Sequence, residues 1–141
     1  MSKAPTLVLV LAAAGFAACG PLPVDPSISA QGQYRLERAN QVAMPGTLSF
    51  ADGVAFTYHD GTHLTLQNGH YEMILDYTAR DRNGEYPWVW KMEGDYALRG
   101  DTVVLDPAGG QWNGQRVPLK GGTLTLTFPG DERVSQMVFS R

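Results

Sequence analysis

Chemistry in this chain would have to come from three places: a lone thiol at Cys19, two histidines either side of a turn, and a row of aromatic rings. His59 and His63 flank Asp60-Gly61. If that dipeptide turns a hairpin, the two imidazoles meet across the strands, where Zn²⁺ or Cu²⁺ is imaginable with Asp60 or His70 as a third ligand. The supporting cysteine or carboxylate spacing is absent, and polar hairpin ends tolerate histidine, so no metal and no cofactor is assigned. Asp81-Arg82-Asn83-Gly84-Glu85 carries the first donors of a calcium loop but lacks the rest, notably the acid at the twelfth position. It reads as a turn. No nucleophile elbow, His-Glu-x-x-His, phosphate loop or Cys-His pair occurs, which argues against an enzyme. The row Tyr86, Trp88 and Trp90, followed by Met92 and Tyr96, is the best ligand-site candidate. With Tyr34 and Tyr71 from other strands, the candidate set is Tyr34, Tyr71, Trp88, Trp90 and Tyr96.

The thiol has a context of its own. Lys3 supplies a positive charge, and residues 7–18 form an unbroken apolar run that ends against Cys19. As a helix that run reaches only about 18 Å, short of a hydrocarbon core of about 30 Å. It reads as an export signal rather than a membrane span. Phe16-Ala17-Ala18-Cys19-Gly20 resembles the lipobox of bacterial lipoproteins: Ala17, Ala18 and Cys19 match, and Phe16 stands where leucine is preferred. The resemblance implies cleavage before Cys19, diacylglycerol on its sulfur and an acyl chain on the new amino terminus. Two or three chains hold a protein firmly to a membrane where one does not. Gly20, rather than Asp, implies in that family the outer membrane, facing the periplasm. The competing reading is cleavage near Ala12-Ala13-Ala14 and release of a soluble protein with one free thiol. Residues 20–30 hold three prolines and read as an extended spacer between anchor and domain.

The remaining chain is long enough for one domain. Over all 141 residues the 11 Lys and Arg are scattered, against 14 Asp and Glu, so the chain lacks the basic face of a nucleic-acid binder. Sixteen glycines and nine prolines point to many turns, hence many short strands.

Those turns fall at regular places. Asp52-Gly53, Asp60-Gly61 and Asn68-Gly69 are hairpin signals, because type I′ turns need positive φ at both central residues. Gly114, Gly122 and Gly130 repeat the spacing near the C-terminus. Two longer strands are expected at residues 70–80 and 85–99, joined at Asp81-Arg82-Asn83-Gly84. Apolar and polar residues alternate with period two: Leu124, Leu126 and Phe128 share a face opposite Thr123, Thr125 and Thr127, and Tyr71, Met73, Leu75 and Tyr77 share another. The expectation is an all-β, antiparallel up-and-down meander closing into a barrel of about 8–10 strands over residues 32–141, because closure removes exposed edges. Its inward set is expected to include Tyr34, Phe50, Phe56, Tyr71, Tyr77, Trp88, Trp90, Phe128 and Phe139. Rings this bulky can fill a small barrel unaided, and a packed core is preferred to a cavity.

Gly32-Gln33-Tyr34-Arg35-Leu36 and Gly94-Asp95-Tyr96-Ala97-Leu98 share the form Gly-x-Tyr-x-Leu. With residues 96–105, residues 122–128 and the closing Met-Val-Phe-Ser-Arg, they look like the bacterial lipocalin-like lipoproteins. Lipocalins carry Gly-x-Trp on the first strand, with an arginine from the last strand over that ring. Tyr34 stands in the tryptophan's place here, and Arg141 is the last residue. The resemblance implies a membrane-tethered barrel that binds a small apolar or amphipathic molecule. Set against it is a protein-interaction or inhibitor module with a solid core, for which an exposed Trp112 would be the contact anchor. An envelope structural protein without a discrete site is the third reading.

Overall fold

A computed structural model describes residues 30–141, so Cys19 and the segment around it lie outside the described residues. Eleven strands follow in order: β1 (Gly32–Ala39), β2 (Val42–Ala43), β3 (Gly46–Ser49), β4 (Ala55–Tyr58), β5 (His63–Gln67), β6 (His70–Asp81), β7 (Gly84–Arg99), β8 (Thr102–Leu105), β9 (Gln115–Lys120), β10 (Thr123–Thr127) and β11 (Gln136–Ser140). From β5 to β11 each strand pairs antiparallel with the next. β1 closes the ring, with Leu36 opposite Phe139 on one side and Tyr34 opposite Leu64 on the other. The result is a closed eight-stranded antiparallel barrel with β2, β3 and β4 added at one end.

Local sequence sets most of the turns. Asn68 and Gly69 have φ of 51° and 80°, the type I′ pair expected between β5 and β6. At Arg82-Asn83 the Asp81 carboxylate accepts the amides of Asn83 (2.7 Å) and Gly84 (3.2 Å), so this carboxylate sets a turn.

Asp60-Gly61 is not a hairpin, contrary to the sequence expectation. β4 and β5 both lie along β6, with Tyr58 opposite Tyr77 and His63 opposite Ile74, so they form one strand interrupted at residues 59–62. The buried Thr62 fills the gap in the ladder: its Oγ1 accepts the Asp76 amide (3.0 Å) and donates to the Asp76 carbonyl (2.9 Å). Gly61 is required for room rather than for φ, since a Cβ there would lie 2.5 Å from Asp76 Oδ2.

The core follows the alternation. Leu124 and Leu126 of β10 and Tyr71 and Met73 of β6 are buried with Leu64, Leu66 and Phe139, each side chain contributing about 1.5–3 kcal/mol by leaving water. At the closed end the Tyr34 hydroxyl donates to the Ala30 carbonyl (2.5 Å). The Arg141 guanidinium lies 5.3 Å from the Tyr34 ring centre, and its Nη1 donates to the Gln31 carbonyl (3.2 Å).

The opposite end is uneven, and this creates the site. β7 pairs with β8 only through Tyr96, Ala97, Leu98 and Arg99, whereas its residues 84–95 pair with β6. The β6–β7 hairpin therefore projects as an arm beyond the barrel wall. Trp88 and Trp90 have the inward parity of the buried Met92 and Tyr96, but they lie beyond the stretch of β7 that β8 pairs with. They are 49% and 53% exposed, which corrects the expectation that they lie in the interior. The outer edge of the arm is open. The Asp76 carbonyl accepts the His59 amide, so the backbone of Asp76 faces β4 and that of its β7 partner Val89 faces the free edge. Pro87 shares that parity and, having no N–H, suits an edge.

Candidate ligand-binding site

A cavity of about 350 Å³ opens at the arm end of the barrel. Six rings line it: Phe56 and Tyr58 from β4, Tyr77 from β6, Trp90 from β7, and Trp112 and Phe128 from the loop side. Leu75, Met92, Val134 and Met137 complete its apolar lining, and Gln111 and Asp131 are the other lining residues among those described. The rings are tilted against one another rather than stacked: Phe56–Tyr77 centroids are 5.4 Å apart at 60°, Tyr58–Tyr77 5.5 Å at 42°, and Trp112–Phe128 5.6 Å at 53°. Such tilted arrangements suit the quadrupoles of aromatic pairs. Burial pushes the Tyr58 phenol up, with Tyr77 and the Asp131 carboxylate adding to the shift. Asp131 Oδ1 accepts the amides of Arg133 (2.7 Å) and Val134 (2.9 Å), which fixes the loop before β11.

A second crevice, about 500 Å³, shares Phe56 and extends along the arm past Trp88, Tyr86 and Arg80. Arg133 covers it, with its guanidinium carbon 5.8 Å from the ring centres of both Phe50 and Phe56, and it pairs with Asp52 at 2.5 Å. The Asp52 carboxyl is held below its usual value by the Val54 amide first and by Arg133 second.

Trp112 reaches the mouth because of a buried carboxylate. Asp106, with φ 49° and only 7% exposed, starts the loop of residues 106–114. Its Oδ2 accepts the Tyr71 hydroxyl (3.0 Å) and the Trp112 backbone amide (2.9 Å), and its own amide donates to Asp95 (2.8 Å). Burial pushes the Tyr71 phenol up, and the carboxylate beside it pushes it further. Two glycines make room: a Cβ at Gly94 would lie 2.3 Å from Asp106 Oδ1, and one at Gly110 would lie 2.7 Å from Asp106 Cγ. The indole N–H of Trp112 is buried without a protein partner.

The residues singled out in the sequence divide clearly. Tyr34, Tyr71 and Tyr96 are 0%, 2% and 7% exposed and belong to the packed core. Trp90 lines the mouth and Trp88 the adjoining crevice. Trp112 is partly buried against the core rather than presented to solvent, which removes the contact anchor of the interaction-module reading. Of the six lining rings only Trp90 is in the candidate set; Phe56, Tyr58, Tyr77, Trp112 and Phe128 are not, nor is Asp131, which looks like another turn aspartate.

The histidines do not converge. His59 Nε2 meets Thr78 Oγ1 (2.8 Å) and His63 Nδ1 meets the Gly61 carbonyl (2.7 Å). Among the described residues no three His, Cys, Asp or Glu side chains are grouped to hold a metal. A larger, more polar hollow of about 630 Å³ lies near the β5–β6 turn, but its charged walls are engaged with one another. Lys91 bridges Glu72 (2.8 Å) and Glu93 (3.1 Å), and His70 meets Asp95 (2.6 Å).

Comparison of the chain with protein-family models, with curated proteins and with solved structures found no match in any of the three.

Proposed function

We propose that the chain is a lipocalin-like lipoprotein of the bacterial envelope, anchored through Cys19 in the outer membrane and facing the periplasm. Its barrel binds a small apolar or amphipathic molecule at the mouth. The observation that carries this reading is the aromatic-lined cavity of about 350 Å³ above an otherwise packed barrel. Ligand sites are concave, mainly apolar, and supplied with a few polar groups, and they occur in the mouths of β-barrels. The geometry of the tether agrees. β1 begins at Gly32 at the closed end, whereas the arm tip at Arg82-Asn83 lies at the other end. Residues 19–30 span at most about 40 Å when extended, so a membrane holding Cys19 faces the closed end and leaves the mouth open to the aqueous side.

Trp90→Ala removes one wall of the cavity. It is expected to weaken binding of an amphipathic probe about tenfold or more, with the far-ultraviolet circular dichroism unchanged. Native mass spectrometry of the purified domain, with thermal shifts against lipids and hydrophobic dyes, provides the check. No retained ligand and no shift with any probe would sink the reading. Cys19→Ser tests the anchor independently: palmitate labelling disappears and the protein moves from the membrane to the soluble fraction. A wild-type protein that takes up no label overturns the anchor.

A protein-interaction role keeps one supporting observation. Val89, 67% exposed, and Trp88 sit on an arm with an open strand edge, where an extended segment of a partner chain could pair.

A further inference from the structure

We propose that the mouth selects an organic cation, a quaternary ammonium or protonated amine carrying apolar substituents. This rests on the mouth being a ligand site. Among the described residues that line it, Asp131 carries the only formal charge, and none is Lys, Arg or His. The other strongly interacting elements are the six rings, whose faces are electronegative and attract cations held within about 6 Å. Neighbouring rings are tilted by 42–60° rather than stacked, so they line the cavity in different orientations and do not close it as one parallel stack.

An anionic head group has no partner there. Arg133, whose guanidinium lies over the Phe56 ring, lines the adjoining crevice and is paired with Asp52. A carboxylate or sulfate in the cavity would meet the Asp131 carboxylate and the negative ring faces, and like charges repel. A neutral apolar group gains the hydrophobic contact but not the electrostatic one. Asp131 is well suited to supply charge, because its Oδ1 is held by the Arg133 and Val134 amides. Its effect on the Tyr58 phenol places its field on the cavity wall.

The test is a titration of the full mature chain, followed by tryptophan fluorescence and calorimetry. The probes are decyltrimethylammonium, decyl sulfate and decyl maltoside below their micelle concentrations. Choline and its neutral isostere 3,3-dimethylbutan-1-ol make a second, tail-free pair. The cationic member of each series is expected to bind about tenfold tighter than its neutral counterpart, and decyl sulfate weakest. Asp131→Asn keeps the oxygen that caps the loop and removes the charge. It is expected to erase most of the cation preference, read as the ratio of the affinities for decyltrimethylammonium and decyl maltoside. Equal affinity for all three decyl probes overturns the cation inference and leaves the apolar mouth standing. Tighter binding of the sulfate overturns the inference outright. Failure of every probe to bind overturns both the inference and the ligand-site reading beneath it.

Discussion

Gly94→Val is expected to destabilise the barrel by about 3 kcal/mol or more, although it adds only apolar atoms at a strand position. The new Cβ would fall 2.3 Å from Asp106 Oδ1 and 2.8 Å from Tyr71 Cε1. Neither neighbour can yield cheaply. Tyr71 is 2% exposed, and Asp106 is tied at once to the Tyr71 hydroxyl and the Trp112 amide. Overpacking alone costs about 1–3 kcal/mol, and displacing a carboxylate from its donors adds about 1–3 kcal/mol for each group left unsatisfied. Asp106→Leu should lose a similar amount by the opposite route, orphaning those donors and placing a leucine at φ 49°. Asp106→Asn keeps an acceptor oxygen and tolerates that φ, so it should retain much of the stability. Urea unfolding of the three variants gives the comparison. A Gly94→Val protein within about 1 kcal/mol of the parent would mean that the buried knot yields easily. The same series affects the mouth, because Asp106 holds the loop that carries Trp112. Gly94→Val should therefore weaken ligand binding even where the barrel remains folded.

How far the sequence discloses this structure depends on the range of the interaction that decides each feature. The β6–β7 hairpin was legible almost to the residue, expected at 70–80 and 85–99 and found at His70–Asp81 and Gly84–Arg99, because alternation and turn residues are local signals. Asn68-Gly69 behaved as its type demands, whereas Asp60-Gly61 did not. The second dipeptide lies between two segments that both pair with β6, so the ladder rather than the turn fixes its shape. Trp88 and Trp90 show a different limit. Period two gives the parity of a side chain but not whether anything stands opposite it, and β7 outruns its neighbour β8 by twelve residues, 84–95. The Asp106 knot joins residues 35 apart in sequence, and a buried aspartate among turn glycines gives no local sign of its partners. Arg141 over Tyr34 was approachable only through a family resemblance, since the two residues lie at opposite ends of the described chain.

Above about pH 10 the barrel is expected to lose stability steeply, and its tyrosines set the direction. Tyr34, Tyr58, Tyr71 and Tyr96 all have raised phenol values, with burial the largest cause in each. Below the unfolded value of about 10 every phenol is protonated in both states, so the contribution of the neutral rings is fully present. As pH rises past that value the unfolded chain releases protons that the folded chain retains. Each tyrosine then lowers stability by up to about 1.4 kcal/mol per pH unit, until its raised folded value is passed. Four such groups together give up to about 5 kcal/mol per pH unit, comparable with the whole stability of a small domain. Phenolate absorbance and circular dichroism followed from about pH 8 to about pH 12 should therefore show four of the six tyrosines ionising only as the sheet signal collapses. All six ionising at the ordinary phenol value in a folded barrel would contradict the prediction. The four rings are spread from the Tyr34 end of the barrel to Tyr58 at the mouth, so alkaline unfolding should be one cooperative event. Tyr34→Phe, which removes a titrating group and the hydroxyl that donates to Ala30, should flatten the slope while lowering stability near neutral pH by about 1 kcal/mol.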